Sequence, residues 1–347
     1  MTNQRVHFLN VADGDCSIVQ HGSGRVSVID VNNAKPIDPA ERFAEAFRKL
    51  IAEELRGVPG NFNQKAYPVN PIEYMNSRGI SDVWRFILTH PDMDHMGGIK
   101  AFFETFPPTV FWDTDNHEDK DFEEGGPYNE DDWKFYKALR DSNPSSNPQR
   151  LALYSGDQGQ YWSRDGEGKP GGDGIQILAP TPELVQQANE TGDYNDCSYV
   201  LLYWSAAGKT VFGGDSHDKT WDHILDVHES LVTDVDLLIA PHHGRKSDRK
   251  YDFLDVLNPK LTFFGNARSE HLAYSAWQYR GLPYITNNQA NCMVVDAGDE
   301  QMPLFVTNRT FAEKVNPSTF WSDEYQGWYT QGIKSWSESG AASQAIR

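Results

Sequence analysis

The run T-H-P-D-M-D-H-M-G-G, residues 89–98, sets His90, Asp92, Asp94 and His95 within six consecutive positions. Imidazole and carboxylate groups both bind divalent metal ions, and alternation behind an apolar run can turn such side chains toward one point. Two ions a few ångströms apart need roughly this many ligands, with a carboxylate able to bridge them. Two later stretches supply partners in the same setting: V-F-G-G-D-S offers Asp215, and L-L-I-A-P-H-H-G offers His242 and His243. Glycines adjoin all three stretches, where backbone must turn sharply or approach closely.

The chemistry to expect of such a set is hydrolysis. Water held between two divalent ions becomes a strong nucleophile at neutral pH, and the same ions stabilise charge on a phosphoryl oxygen under in-line attack. The set therefore predicts a phosphodiesterase, either a nuclease or a cyclic-nucleotide hydrolase, with a metal-bridging hydroxide. Asp94 is a catalytic candidate as well as a ligand. His243 or His271 is the candidate for protonating the leaving oxygen or holding a non-bridging one. The basic run G-R-K-S-D-R-K that follows His243 offers Arg245 and Lys246 to phosphate. It would serve a small nucleotide as well as a nucleic acid.

These residues need elements to carry them. Val6–Leu9, Ser17–Gln20 and Val26–Ile29 read as short strands split by D-G-D and G-S-G turns. Phe43, Phe47, Leu50 and Ile51 fall on one face of a predicted helix within residues 39–55. I-E-Y-M-N-S-R-G-I reads as a short helix, V-W-R-F-I-L-T as the buried strand that delivers His90, and G-G-I-K-A-F-F-E-T-F as the helix after the motif. From Asp113 to Gly174 the chain turns acidic and loop-rich, which predicts an insertion with one helix around Trp133–Leu139. Strand-like runs return at G-I-Q-I-L-A-P, S-Y-V-L-L-Y-W, K-T-V-F-G-G-D, V-D-L-L-I-A-P-H-H-G, L-T-F-F-G-N and N-C-M-V-V-D-A-G. The tail from 308 is aromatic and reads as an extension packing on a domain that spans 1–307.

The ordered set of motifs resembles the metallo-β-lactamase superfamily. Within it, the nearest likeness is to the metallo-hydrolase domain of ComEC-type competence proteins and their stand-alone relatives. T-H-P-D-M-D-H-M-G-G, F-G-G-D and A-P-H-H-G match its motifs in order, and F-L-N-V-A-D-G-D-C-S-I-V-Q is similar to its opening strand and turn. The resemblance implies an α/β fold, an αββα sandwich with two divalent ions, zinc or manganese, at one edge. Carried over, it assigns His90 and Asp92 to one ion and Asp94 and His95 to the other. Asp215 would bridge them, and His242 would complete the second site. Asp30, at the end of a strand, would orient a ligand rather than bind. The third-motif ligand would come from Asn195 or Asp196 in N-D-C-S, where many relatives carry a histidine. An aspartate at 92 in place of a second histidine shifts preference toward harder ions such as manganese.

The chain as a whole sets limits. Its 347 residues suffice for one elaborated domain or two, and 31 basic against 50 acidic side chains leave a formal charge of −19. Such a field repels nucleic acid and anionic membrane except at a local basic patch or a bound ion. Three scattered cysteines, no signal-peptide pattern and no apolar run of membrane length point to a cytoplasmic protein without a membrane partner. Two other functions fit the same sequence. One is hydrolysis of a thioester, lactone or lactam. The other is a non-catalytic subunit that uses the acidic segment 113–174 to meet a protein partner, with the aromatic tail as a candidate contact between copies.

Overall fold

The computed structural model describes residues 3–37, 62–120, 122, 129–143, 146–246, 250–267 and 271–338. The helix expected within 39–55 lies outside them. In the first half of the chain the strands are β1 (Arg5–Phe8), β2 (Ser17–Gln20), β3 (Val26–Ile29), β4 (Arg85–Ile87), β5 (Val110–Trp112) and β6 (Gln149–Leu151). Then come β7 (Ile175–Ala179), β8 (Val200–Trp204), β9 (Lys209–Phe212), β10 (Leu237–Ile239), β11 (Leu261–Phe264) and β12 (Tyr284–Thr286). The last are β13 (Met293–Asp296), β14 (Pro303–Val306), β15 (Trp321–Ser322) and β16 (Gly327–Gly332).

They form two sheets. The larger has the order β15-β16-β14-β13-β1-β2-β3-β4-β5-β6, and the smaller β12-β11-β10-β9-β8-β7. Each sheet mixes directions: β3 to β6 run parallel in one and β9 to β12 in the other, while the remaining pairs are antiparallel. The period-2 alternation of strand side chains builds two cores from each sheet. Phe8, Val19, Ile29 and Ile87 face the same inter-sheet core as Ile177, Leu201, Phe212 and Ile239. Their neighbours Ile18, Val28 and Phe86 turn outward, as do Leu178, Leu202, Val211 and Leu238 on the other sheet.

Helices cover both outer faces. On the larger sheet lie α1 (Pro71–Ser77), α2 (Ile99–Thr105) and α3 (Glu130–Arg140), through Ile72, Phe102 and Trp133 among others. Next in the chain is α4 (Pro182–Thr191), started by its Thr181 cap. On the smaller sheet lie α5 (Asp218–Val232), α6 (Phe253–Leu257) and α7 (Tyr274–Tyr279), through Trp221, Leu254 and Trp277. Each such large side chain taken from water contributes about 1.5–3 kcal/mol. The result is a four-layer αββα sandwich with two mixed sheets, the architecture that the motif resemblance implies.

Two segments are built into this frame more deeply than the sequence patterns indicate. The acidic stretch 113–174 contributes β6, paired with β5, and its α3 carries Asp132 onto the start of α2. The Asp132 carboxylate accepts the backbone N–H of Gly98 at 2.9 Å and of Lys100 at 3.2 Å. The aromatic tail contributes β16, paired with β14, and β15 beyond it. Among the described residues, no helix is long and apolar enough to cross a membrane.

Candidate metal centre

The parallel strands converge on one edge of the sandwich, where the carboxyl ends of strands habitually carry ligand sites. Asp30 follows β3, the 90–95 motif follows β4, Asp215 follows β9, and His242 and His243 follow β10. The close approach requires specific backbone. Gly14 has φ +102°, and a Cβ there would collide with the Asp94 carbonyl, so this glycine lets the D-G-D turn reach the motif. His242 and His243 both adopt left-handed backbone, at φ 52° and 55°. This conformation is costly for non-glycine residues, on the order of 1–3 kcal/mol each. It is held by the bond from His242 N–H to the Gly214 carbonyl, 2.8 Å.

Three imidazoles at this edge are buried and held in the same way. His95 Nδ1 donates to Asp30 Oδ2 at 2.8 Å, and Asp30 also accepts the Thr89 N–H at 2.7 Å and the Thr89 hydroxyl at 2.8 Å. That hydroxyl lies 3.1 Å from His90 Nδ1 and can accept its proton. His243 Nδ1 donates to Asp15 Oδ1 at 2.9 Å. With Nδ1 engaged, each ring presents Nε2, and all three Nε2 atoms are buried without a hydrogen bond.

What these nitrogens face is carboxylate. His90 Nε2 stands 3.5 Å from Asp92 and 3.9 Å from Asp215, and His95 Nε2 stands 3.3 Å from Asp215. His243 Nε2 stands 3.4 Å from Asp94 and 3.6 Å from Asp215. Two donors on one tetrahedral ion are about 3.4 Å apart, so these gaps suit ligands that share an ion. Two overlapping sets, His90–His95–Asp215 and Asp94–His95–His243, each keep their ligand atoms within 4.8 Å of one another.

Charge follows this geometry. Burial disfavours a proton on His95, but Asp215, Asp30 and Asp94 outweigh it and hold its pKa well above the ordinary histidine value. His243 is raised in the same way by Asp215 and Asp15 against its burial. Burial pushes Asp94 and Asp215 upward, yet the surrounding histidines bring both well below the usual carboxylate range. Asp92 is pushed up by burial and drawn down further by His90 and Lys120.

The sequence candidates fall into three groups. His90, Asp94, His95 and Asp215 meet in the two sets, and Asp30 braces His95 as a strand-end carboxylate. His243, expected as an acid, joins Asp94 and His95. His242, expected as the ligand, is more exposed and lies 3.7 Å from Asp215. Asp92 stays beside His90 but outside both sets. Asn195 and Asp196 are not in either set. Asp196 instead meets Asp193 and His217, and the Asn195 Oδ1 is buried without a hydrogen bond. Arg245, Lys246 and exposed His271 also lie outside the sets. A bridge between Arg245 and Leu272 and the bond from Lys246 N–H to the His271 carbonyl lay them along the loop after His243.

Two residues at the centre had no role in the sequence reading. Asp15 was visible only as the last residue of D-G-D, and Lys120 was one cation in an acidic run. Lys120 Nζ sits 3.0 Å from Asp92 Oδ1.

The fold and this constellation define a class, an αββα sandwich with a candidate metal centre at the carboxyl edge of its parallel strands. No protein-family model matches the chain, and no curated protein matches it in sequence. Solved structures do resemble it. Igni18, a metallo hydrolase from the archaeon Ignicoccus hospitalis, is 11% identical over 81% of this chain and 94% of its own, at a TM-score of 0.44. The metallo-β-lactamase fold protein YhfI from Bacillus subtilis is 10% identical over 82% of this chain and 95% of its own, at 0.39. CmlA, a diiron β-hydroxylase from Streptomyces venezuelae, is 11% identical over 85% of this chain and 54% of its own, at 0.44.

Proposed function

We propose that this protein is a metal-dependent hydrolase of the metallo-β-lactamase superfamily, that it holds two divalent ions, zinc or manganese, and that it cleaves a phosphodiester. The observation that carries the reading is the trio of buried Nε2 atoms on His90, His95 and His243, each facing carboxylate at ligand spacing. Buried polar atoms without partners are costly, and a cation among them removes that cost. On this reading His90 and Asp92 would hold one ion and Asp94, His95 and His243 the other, with Asp215 within reach of both. When bound, the pair supplies a nucleophile at neutral pH and stabilises charge developing on the phosphoryl group.

The chain's own residues supply orientation and proton handling. Asp30 and Asp15 fix the rings of His95 and His243, so their lone pairs stay aimed without reorganisation. His242, at the more exposed side of Asp215, takes the role of placing a proton on the leaving oxygen. Lys120, its ammonium 3.0 Å from Asp92 and 3.7 Å from Glu118, would place a cation on the more exposed side of the centre, which supports an anionic phosphodiester over a neutral ester or lactam.

Purified protein loaded with manganese or zinc, offered single- and double-stranded DNA, RNA and cyclic dinucleotides, tests the reading. The expected result is metal-dependent cleavage of one of these classes, lost in Asp94→Ala and His95→Ala. Metal-loaded protein that leaves every phosphodiester intact while hydrolysing nitrocefin or a thioester would sink it.

A further inference from the structure

A cavity of about 460 Å³ opens on the outer face of the smaller sheet, a volume within the range of small-molecule sites. The edge strand β7 and the end of β8 line it through Gln176, Leu178 and Trp204, the last turns of α5 through His228 and Leu231, and the acidic segment through Arg164. The metal centre lies elsewhere. Helix α5 leads from His217, whose ring is 6.1 Å from that of His242, to His228 at the cavity, a rise of about 16 Å. Strand β9 likewise starts beside Trp204 and runs toward Asp215.

Trp204 ends a strand whose other residues are buried, yet it is 49% exposed. It is nonetheless held. Its N–H donates to the Gly174 carbonyl at 2.8 Å, and a Cβ on Gly174, at φ +77°, would collide with the Trp204 carbonyl. The Lys209 ammonium lies 6.0 Å from the indole centroid and donates to the carbonyls of Leu231 and Thr233 at the end of α5. Beside this half-open aromatic platform, the Gln176 amide has no hydrogen-bond partner among the described residues, so both its donor and its acceptor are open to a ligand. His228 Nε2 is engaged by the Ser155 hydroxyl at 2.8 Å. Burial and the neighbouring His223 lower the His228 pKa, so this part of the lining is uncharged at neutral pH.

We propose that this cavity binds a small molecule bearing a nucleobase-type heterocycle, stacked on Trp204 with its polar edge against Gln176. A flat ring with donors and acceptors in its own plane meets both demands at once, since its face suits an indole and its edge pairs with an amide. Charge at the rim favours an uncharged ring over a free anion. The Arg164 guanidinium, anchored to the carbonyl of Gly168 and to Gln158, is offset by the Asp157 carboxylate, which also lines the cavity and accepts the Tyr154 N–H at 2.8 Å. The separation from the centre makes this a site for a second molecule, and it does not require the phosphodiesterase reading.

Uncharged nucleosides test it, because they carry no phosphate for a metal centre to capture. Adenosine, guanosine, cytidine and uridine are offered to the intact chain as wild type, Trp204→Ala, Gln176→Leu and Asp215→Asn, with binding read by saturation-transfer NMR and calorimetry. Far-UV circular dichroism confirms folding in each, and the half-buried Gln176 position carries the test if Trp204→Ala fails to fold. The expected result is millimolar or tighter binding of one or more nucleosides, weakened about 5- to 150-fold in Trp204→Ala. Gln176→Leu should weaken it about 2- to 10-fold, and Asp215→Asn should leave it unchanged. Absence of binding by all four nucleosides overturns the proposal. Binding that folded Trp204→Ala and Gln176→Leu both retain overturns it as well, and its loss in Asp215→Asn would assign the ligand to the centre and leave the hydrolase reading untouched.

Discussion

The two sides of the centre are held by different parts of the molecule. On one side, His95 and His243 are fully buried, and each is pinned through Nδ1 by a buried carboxylate of the larger sheet's loops, Asp30 and Asp15. On the other side, the Asp92 carboxylate is 39% exposed, and its oxygen Oδ1 is held by Lys120, a residue of the acidic segment. The first arrangement is part of the core and is organised before any ion arrives. The second depends on the acidic segment 113–174 and is open to solvent. Under the proposed function, the buried side would capture the ion and the exposed side would respond to substrate.

Asp215 is where the comparison breaks most completely, because its carboxylate lies within 3.9 Å of His90, His95, His242 and His243. Asp215→Asn removes the charge that both sides share, and a loss on the order of a thousandfold in cleavage is expected, with loss of bound metal. Cleavage near the wild-type rate would separate Asp215 from the chemistry. Next come the two braces. Asp30→Asn and Asp15→Asn leave the ligands in place but release their rings, and each should weaken metal binding by roughly 10- to 100-fold. Titration calorimetry checks both. Equal losses support two matched braces, whereas a loss at Asp30 alone would place His243 outside the ion's reach.

Protonation sharpens the same contrast. In the metal-free protein the raised pKa values of His95 and His243 mean that both rings hold protons around neutral pH. A raised native pKa stabilises the fold below the unfolded value of about 6.5, and that stability is lost as pH rises through the native pKa. Metal-free protein should therefore unfold more easily as pH is raised above neutrality, while metal affinity climbs because ions displace these protons. Thermal melts in chelator across pH and calorimetry in two buffers of different ionisation enthalpy check the two halves. Metal binding without proton release would show that neither ring is a ligand.

Much of the buried side was legible in the chain. His90, Asp94, His95 and Asp215 stand at strand ends that alternation and glycine punctuation mark, and the strands Ser17–Gln20 and Val26–Ile29 are found where the pattern places them. The choice between His242 and His243 was not legible, since it rests on left-handed backbone at both positions. Nor was Asp15, which meets His243 across 228 positions of sequence. Strand β6 escapes pattern reading because it is a three-residue edge strand with no buried face. Helix α5 goes unread because its buried face is sparse, with Thr220, Trp221, Ile224 and Val232 set among charged and polar positions.

The smallest expected effect belongs to Lys120 and is the most direct test of the exposed side. Its ammonium lies 3.0 Å from Asp92 and 5.5 Å from the Trp133 ring, and its side chain is 18% exposed. A partly exposed pair of this kind contributes at most about 1 kcal/mol, so Lys120→Met should fold and keep its metal. Removing the cation should instead weaken an anionic substrate, raising KM by about two- to fivefold with little change in kcat. Lys120→Arg keeps the charge and should restore most of the difference. If Lys120→Met lowers metal content as far as Asp30→Asn does, then Lys120 orients Asp92 as a ligand. The exposed side would then take part in ion capture as fully as the buried one.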